Sequence, residues 1–305
     1  MKKVCILMAT HNGEKFLQSQ LNSFLEQTFN NWELFVSDDN STDCTLKIVE
    51  NFSQNTSHRV EVRERNYSSF VVNFLSLVMD YEGDADYFAF SDQDDVWNQD
   101  KLLIAVHQLE KFDNSKPGLY CSRTEFVDMH AKSYAPKLYS TDTLQKPSFQ
   151  NALVETIAGG NTMLFNKAAL NLLKQFGLVQ VSSHDWWLYL LVTGSGGNVY
   201  FDPWPSLKYR QHTSNVVGGK KSLLLRFKRF WDGNFKKEVD KNLSALLDKK
   251  NLLTEENKLS LNYMILARSS KSILSKVKYF YKSKIYRKKK IFTLALFLVF
   301  LFGKC

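Results

Sequence analysis

The sequence is poor in the features that most quickly assign a chain. Its four cysteines, Cys5, Cys44, Cys121 and Cys305, show no paired spacing. That argues against a disulfide framework or a structural zinc site and leads us to expect a reducing compartment. There is no GxxxxGK[ST] and no GxGxxG, so the two commonest glycine-loop routes to a phosphate are unsupported. No internal repeat or low-complexity segment interrupts the chain. The N-terminus offers two lysines and then only "VCILMA", too short for a secretory signal and suited to a first core strand. The longest apolar stretch, Ile291 to Phe302, is 12 residues. A full membrane crossing needs roughly 20, so a short or interfacial anchor is expected there.

What is present is a large apolar fraction and an uneven charge. The 305 residues are 44% hydrophobic, enough for one large domain or two. The formal net charge is +9. Residues 1–219 hold 18 Lys/Arg and 25 Asp/Glu, a balance of −7, whereas residues 220–305 hold 22 and 6, a balance of +16. An acidic globular domain (1–219) followed by a basic helical, membrane-associating tail (220–305) is expected. Segments of that sign meet nucleic acid or anionic membrane. In "KKSLLLRFKRFW" (220–231) the basic residues interleave with Leu, Phe and Trp at helical spacing, and Arg287 to Lys290 stand directly before the apolar end. This pattern favours an anionic bilayer over nucleic acid. The expected location is the cytoplasmic face of the inner (plasma) membrane, peripheral or weakly anchored.

The first part alternates between strand and helix patterns. "VCILMA" (4–9), "WELFVS" (32–37), "HRVEVRE" (58–64) and "DYFAFS" (86–91) read as strands. Between them "EKFLQSQLNSFLEQT", a segment that starts near Thr42 and is N-capped by "DDNSTD", and residues 68–80 read as helices. Such alternation predicts an α/β fold with a mostly parallel central sheet flanked by helices. Further on, "NTMLFN" (161–166), "VYFDP" (199–203) and "SLKYRQH" (206–212) read as strands, and "SHDWWLYLLVT" (183–193) as a helix opening on an acid. Ligands of open α/β sheets sit beyond the carboxyl ends of the strands. "THN", "SDDNSTD" and "SDQDD" all fall at those ends.

"FSDQDDVW" places Asp92, Asp94 and Asp95 within four residues at the end of a core strand. Capping a helix that begins near Asn98 would need one acid, not three. Like charges so close repel unless a cation sits among them, and a hard ion such as Mg2+ or Mn2+ suits carboxylates that leave positions for phosphate and water. Metal-mediated diphosphate binding is the route to phosphate that remains.

"MATHNGEKFLQSQLNSFLEQT", "ELFVSDDNSTDCT" and "FSDQDDVW" resemble the nucleotide-binding half of family 2 glycosyltransferases of the GT-A fold, rhamnosyltransferase-like members above all. "AGGNTMLFN", "SHDWW" and "YRQHTSNVVG" follow in order and resemble the acceptor half. The resemblance covers about residues 3–218, with a nucleotide-binding half over 1–115 and an acceptor half over 116–219. It implies that Thr10 and Asn12 line the nucleotide pocket, that Asp39 accepts from a pyrimidine imide and that Asp92 contacts the ribose. It implies that Asp94 ligates the metal, with Asp94–Asp95 as an alternative register, and that His212 completes the site. Asp185 resembles the catalytic base of an inverting transfer. Asp95, Gly159, Gly160, Trp186 and Arg210 are further candidates for donor or acceptor contact. "GGN" departs mildly from the family pattern and leaves the sugar open.

The expected activity is therefore an inverting, metal-dependent transfer of a sugar, with rhamnose among the candidates, from a dTDP- or UDP-linked donor. The expected acceptor is lipid-linked or a growing cell-surface polysaccharide. The alternative is a membrane-associated, non-catalytic nucleotide-sugar-binding or scaffold protein. Loss of the acid at 94 or 185 would mark it, and both acids are present.

Overall fold

The computed structural model describes residues 2–139, 146–212 and 232–303. Residues 213–218 of "YRQHTSNVVG" and the basic stretch 220–231, both singled out above, lie outside the described residues.

The chain opens with β1 (Val4–Thr10), α1 (Leu17–Leu25), β2 (Trp32–Asp39), α2 (Thr45–Asn55), β3 (Val60–Arg65), α3 (Phe70–Asp80) and β4 (Tyr87–Ser91). β1 is apolar without a break because both of its faces are covered. Its side chains alternate. Val4, Ile6 and Met8 pack with Leu17, Leu21 and Phe24 of α1 and with Val49 and Phe52 of α2. Cys5 and Leu7 pack on the other face with Phe74, Leu75 and Val78 of α3. β1, β2, β3 and β4 are parallel neighbours, as the alternation predicts.

The chain continues through β5 (Val96–Trp97), α4 (Lys101–Leu109), β6 (Gly118–Val127), β7 (Ser133–Tyr139), α5 (Phe149–Ala152), β8 (Leu164–Asn166), α6 (Lys167–Phe176), α7 (His184–Gly194) and β9 (Asn198–Arg210). The nine strands form one sheet of order β3-β2-β1-β4-β8-β6-β9-β5, with β7 on β6. Here the sequence reading needs three corrections. "NTMLFN" begins as a 3-10 turn, Gly160–Thr162, and only its last three residues are strand. "VYFDP" and "SLKYRQH" are one 13-residue strand, β9, parallel to β6. Pro203 and Pro205 disguise it, since neither can donate to a ladder, and the β6–β9 register shifts opposite them. α4 starts at Lys101, not near Asn98, and no side chain caps it. The acids of "SDQDD" are therefore not spent on capping that helix.

Beyond residue 231 come α8 (Asn234–Leu247), α9 (Glu255–Ser269), α10 (Ile273–Ser283) and α11 (Lys290–Leu301). Among the described residues no helix is long and apolar enough to cross a membrane. These helices share the core on the α3 face. Phe235, Val239, Leu246, Met264, Phe280, Leu296 and Phe300 belong to one cluster with Trp187, Leu188 and Phe165. One continuous core thus holds side chains from both sides of residue 220. Each fully buried side chain of this kind contributes about 1.5–3 kcal/mol.

Candidate active site

The loops after β1, β2 and β4 meet at the carboxyl edge of the sheet. Gln93 joins the first to the third. Its Oε1 accepts the His11 N–H at 2.9 Å and its Nε2 donates to the His11 carbonyl at 2.9 Å. A Cβ on Gly13 would meet Gln93 Oε1 at 2.3 Å, so a larger residue there would push the Gln93 side chain out of this bridge. Asn12, at φ 47°, accepts the Thr42 N–H at 2.9 Å and donates its own N–H to Ser41 at 2.8 Å. Thr10 donates to Asp38 at 2.7 Å. Asp38 also accepts from Ser41. Asp39 accepts backbone N–H groups of Tyr67, Ser68 and Ser69 and so holds the turn before α3.

The third loop carries the acids. Oxygens of Asp92, Asp94 and Asp95 lie within 4.8 Å of one another. Burial, then Asp94 and Asp185, pushes the Asp92 carboxyl up to about 7. Burial, then Asp94 and Asp92, pushes Asp95 well above the carboxylate range. Asp95 is fully buried, and its Oδ2 accepts from Asn161 Nδ2 at 2.6 Å. Its Oδ1 has no hydrogen-bond partner among the described residues.

β9 brings two more residues to this edge. His212 Nε2 lies 2.8 Å from Asp94 Oδ2, with the ring centroids of His212 and Phe16 4.8 Å apart. Arg210 is buried, and Nε donates to the Asp94 carbonyl at 2.9 Å. Its Nη1 donates to the Met129 carbonyl at 2.8 Å and its Nη2 to Ser19 Oγ at 3.3 Å. The guanidinium expected to meet a ligand thus clamps the backbone of the acid loop.

Asp185 stands in the first turn of α7. Its Oδ2 accepts the Gly160 N–H at 3.2 Å, and its Oδ1 accepts from Ser183 and from the Trp186 N–H. The carboxylate sits at the positive end of the helix dipole. It raises the Asp92 pKa through space, so the two groups share one electrostatic environment. Trp186, a candidate for sugar contact, is instead buried and donates Nε1 to the Ala152 carbonyl at 2.6 Å. Trp187 is wholly buried against Phe176. Gly160 is buried and Gly159 exposed. A Cβ on Gly160 would meet His184 Nε2 at 2.3 Å. Close approach, rather than a special φ, demands glycine there.

Three buried polar residues escaped the sequence reading. Lys101 Nζ donates to the Asn161 carbonyl and lies 4.2 Å from the centroid of the Trp97 ring. Burial pushes its ammonium down to about 7, with Asp95 and Asp92 opposing. Asn161 thereby joins Lys101, Asp95 and the Gly160 turn that meets Asp185. His184, stacked on Phe74 with ring centroids 3.9 Å apart, is held neutral by burial, its pKa lowered to about 4. The "GGN" and "HD" motifs adjoined these residues, but no periodicity marks a buried polar side chain.

A sequence profile described as Glycosyl transferase family 2 matches residues 5–172, more than half of the chain. The chain is a family 2 glycosyltransferase. It is 30% identical over 277 residues to the dTDP-rhamnosyl transferase RfbG of Shigella flexneri, covering 86% of this chain and 92% of that one. It is 27% identical to the UDP-Glc:alpha-D-GlcNAc-diphosphoundecaprenol beta-1,3-glucosyltransferase WfgD of Escherichia coli, covering 75% and 84% of the two chains. Among solved structures the transferase resembles S. aureus TarS 1-349 in complex with UDP-GlcNAc. That match has a TM-score of 0.56 at 13% identity and covers 92% of this chain and 79% of TarS 1-349. It also resembles the mannosyltransferase PcManGT of Pyrobaculum calidifontis in complex with GDP-Man and Mn2+, at a TM-score of 0.52 and 15% identity over 99% and 85% of the chains. The fold is GT-A.

The acid loop of this transferase fits a hard divalent cation. It offers three carboxylates within 4.8 Å, an imidazole nitrogen beside one of them and a buried carboxylate oxygen lacking a partner among the described residues. Oxygen donors of this kind suit Mg2+ or Mn2+.

Proposed function

We propose that the chain is an inverting, metal-dependent glycosyltransferase acting on a dTDP- or UDP-linked sugar, with rhamnose the first candidate. The observation that carries this reading is the pairing of His212 with Asp94, 118 positions apart in sequence, at 2.8 Å. Asp94 lies in the loop whose Asp92 feels Asp185. Asp94 and His212 would hold the cation, with Asp95 alongside. Bound there, the cation would neutralise the diphosphate that departs. Asp92 would contact the ribose, Thr10 and Asn12 the nucleotide, and Asp39 the pyrimidine imide. Asp185 would take the proton from the acceptor hydroxyl as its oxygen attacks the anomeric carbon. The Gly160 N–H and the α7 terminus orient that carboxylate. Gly159, exposed beside it, is left to face donor or acceptor.

The acceptor is a lipid-linked or growing cell-surface polysaccharide at the cytoplasmic membrane face. The diphosphoundecaprenol acceptor in the name of WfgD supports this, as does the basic C-terminal region. The deciding experiment is thermal shift of wild type and Asp94→Ala against dTDP, UDP and GDP, with and without Mn2+. At a hundredfold excess of ligand over its dissociation constant, stabilisation is about 2.7 kcal/mol. The expected result is stabilisation by dTDP or UDP that needs Mn2+ and disappears in Asp94→Ala. No shift with any nucleotide would remove the basis of the reading.

A further inference from the structure

Two features stand apart from the transfer chemistry. One is a charged hollow of about 330 Å³ near Glu33, Arg59 and Tyr81. The other is an apolar face on α10 and α11.

α11 buries Phe292, Ala295, Leu296, Val299 and Phe300 in the core. Its other side shows Ile291, Leu294 and Leu298 to solvent, with Phe302 just past its end. At 100° per residue these four fall in one stripe. α10 runs beside it and exposes Ile273, Leu274 and Tyr281, with Leu274 82% exposed. The Tyr281 and Phe297 rings lie 6.0 Å apart and those of Phe280 and Phe297 5.0 Å apart, so the two helices pack side by side there. A soluble surface seldom carries so many large apolar side chains side by side without a partner.

The stretch of chain that carries the face holds charge of one sign. Residues 257–305 contain twelve Lys/Arg and no Asp or Glu. Lys278 and Lys282 project from the exposed side of α10, and Lys290 heads α11 exposed. Arg287 and Lys288, grouped with these by sequence alone, are used inside the molecule. Arg287 pairs with Glu155 at 3.1 Å, and Lys288 Nζ donates to the Ile157 carbonyl. These bonds fasten the base of the face to residues 154–157, which lead directly into Gly159 and Gly160. The face is thus fixed to the half of the site that would receive acceptor.

We infer that the α10–α11 face is the surface on which the transferase lies against an anionic bilayer. The apolar stripes enter the headgroup–acyl boundary, and the lysines at their rim meet lipid phosphates. A second copy is a poor occupant, since the same basic rim would face itself. Nucleic acid would leave the α11 stripe, which has no polar side chain, in water. The inference deepens the proposed membrane location of the acceptor but does not depend on turnover.

The test is co-sedimentation of the full chain with phosphatidylcholine vesicles, with and without phosphatidylglycerol. Wild type is compared with Leu294→Glu/Leu298→Glu and, on the other helix, with Leu274→Glu. Wild type should bind the anionic vesicles and be released by salt. Each variant should bind at least about tenfold more weakly, with its circular dichroism and its metal-dependent nucleotide stabilisation unchanged. Because Leu274 is the most exposed of these residues, its variant keeps the test decisive if the double variant misfolds. Equal vesicle binding by wild type and the variants overturns the inference. So does a wild type that ignores anionic vesicles, binds RNA instead, or is a dimer that Leu294→Glu/Leu298→Glu splits. Vesicle binding without nucleotide binding would sink the transfer reading and leave this one standing.

Discussion

The loop after β4 and the helices after residue 270 each gather charge of one sign, but they treat it differently. The acids at 92, 94 and 95 are drawn inward, where burial and mutual repulsion raise two of their pKa values. The bases after Glu256 stand mainly at the surface beside apolar side chains. Repulsion spread over solvent-exposed lysines is weak and screened. Repulsion among buried carboxylates is strong and is tolerated only with neighbours that offset it, here Lys101, Asn161 and His212. Charge collected at a cost in folding points to chemistry; charge collected at little cost points to adhesion.

Four perturbations probe that contrast, beginning with the largest. Asp185→Asn keeps the size and most hydrogen bonds of the side chain but removes the base. Turnover should fall on the order of 10³-fold, with nucleotide affinity measured by calorimetry unchanged. Normal turnover would dismiss Asp185 as base. Lys101→Met should cost about 3 kcal/mol in urea unfolding, because it takes a buried charged donor away from the Asn161 carbonyl. A loss below about 1 kcal/mol would mean that the carbonyl finds another donor.

Leu296→Ala in α11 should cost about 2–5 kcal/mol in the same transition. If instead the chain unfolds in two steps and only the second is unchanged, the C-terminal helices form a separate unit. His184 gives the smallest effect and a pH signature. Its folded pKa, about 4, lies below the unfolded value near 6.5. The unfolded chain therefore binds the extra proton first, and stability falls as pH drops from about 6.5 to 4, by up to about 3 kcal/mol. His184→Gln should flatten that part of the stability–pH curve. An unaltered curve would show that other groups set it.

How much of this was legible depended on the kind of signal. The β1-to-β4 alternation was readable because each strand is short, apolar and bounded by polar turns. β6 carries Ser122, Arg123, Thr124 and Glu125 within an otherwise apolar strand and did not announce itself, whereas the two prolines of β9 made one strand read as two. The acids and His212 were readable as motifs, and the fold brings Asp94 and His212 into contact. Arg210 and Trp186 were readable only as chemistry-bearing types. Whether such a residue faces a ligand or the protein is decided by tertiary packing, and here both turn inward. The stretch 291–302 lacks any polar residue but Thr293, so its sequence has no period from which to tell a core face from a free one.

Arg210 and His212 close on Asp94 from 116 and 118 positions downstream. Until that long loop closes, the acid segment has neither its clamp nor its imidazole. Contacts of such separation form late and slowly. More than two hundred residues of chain must be made before the acid loop can meet its clamp and its imidazole. The centre is completed by the last strand of the sheet in chain order.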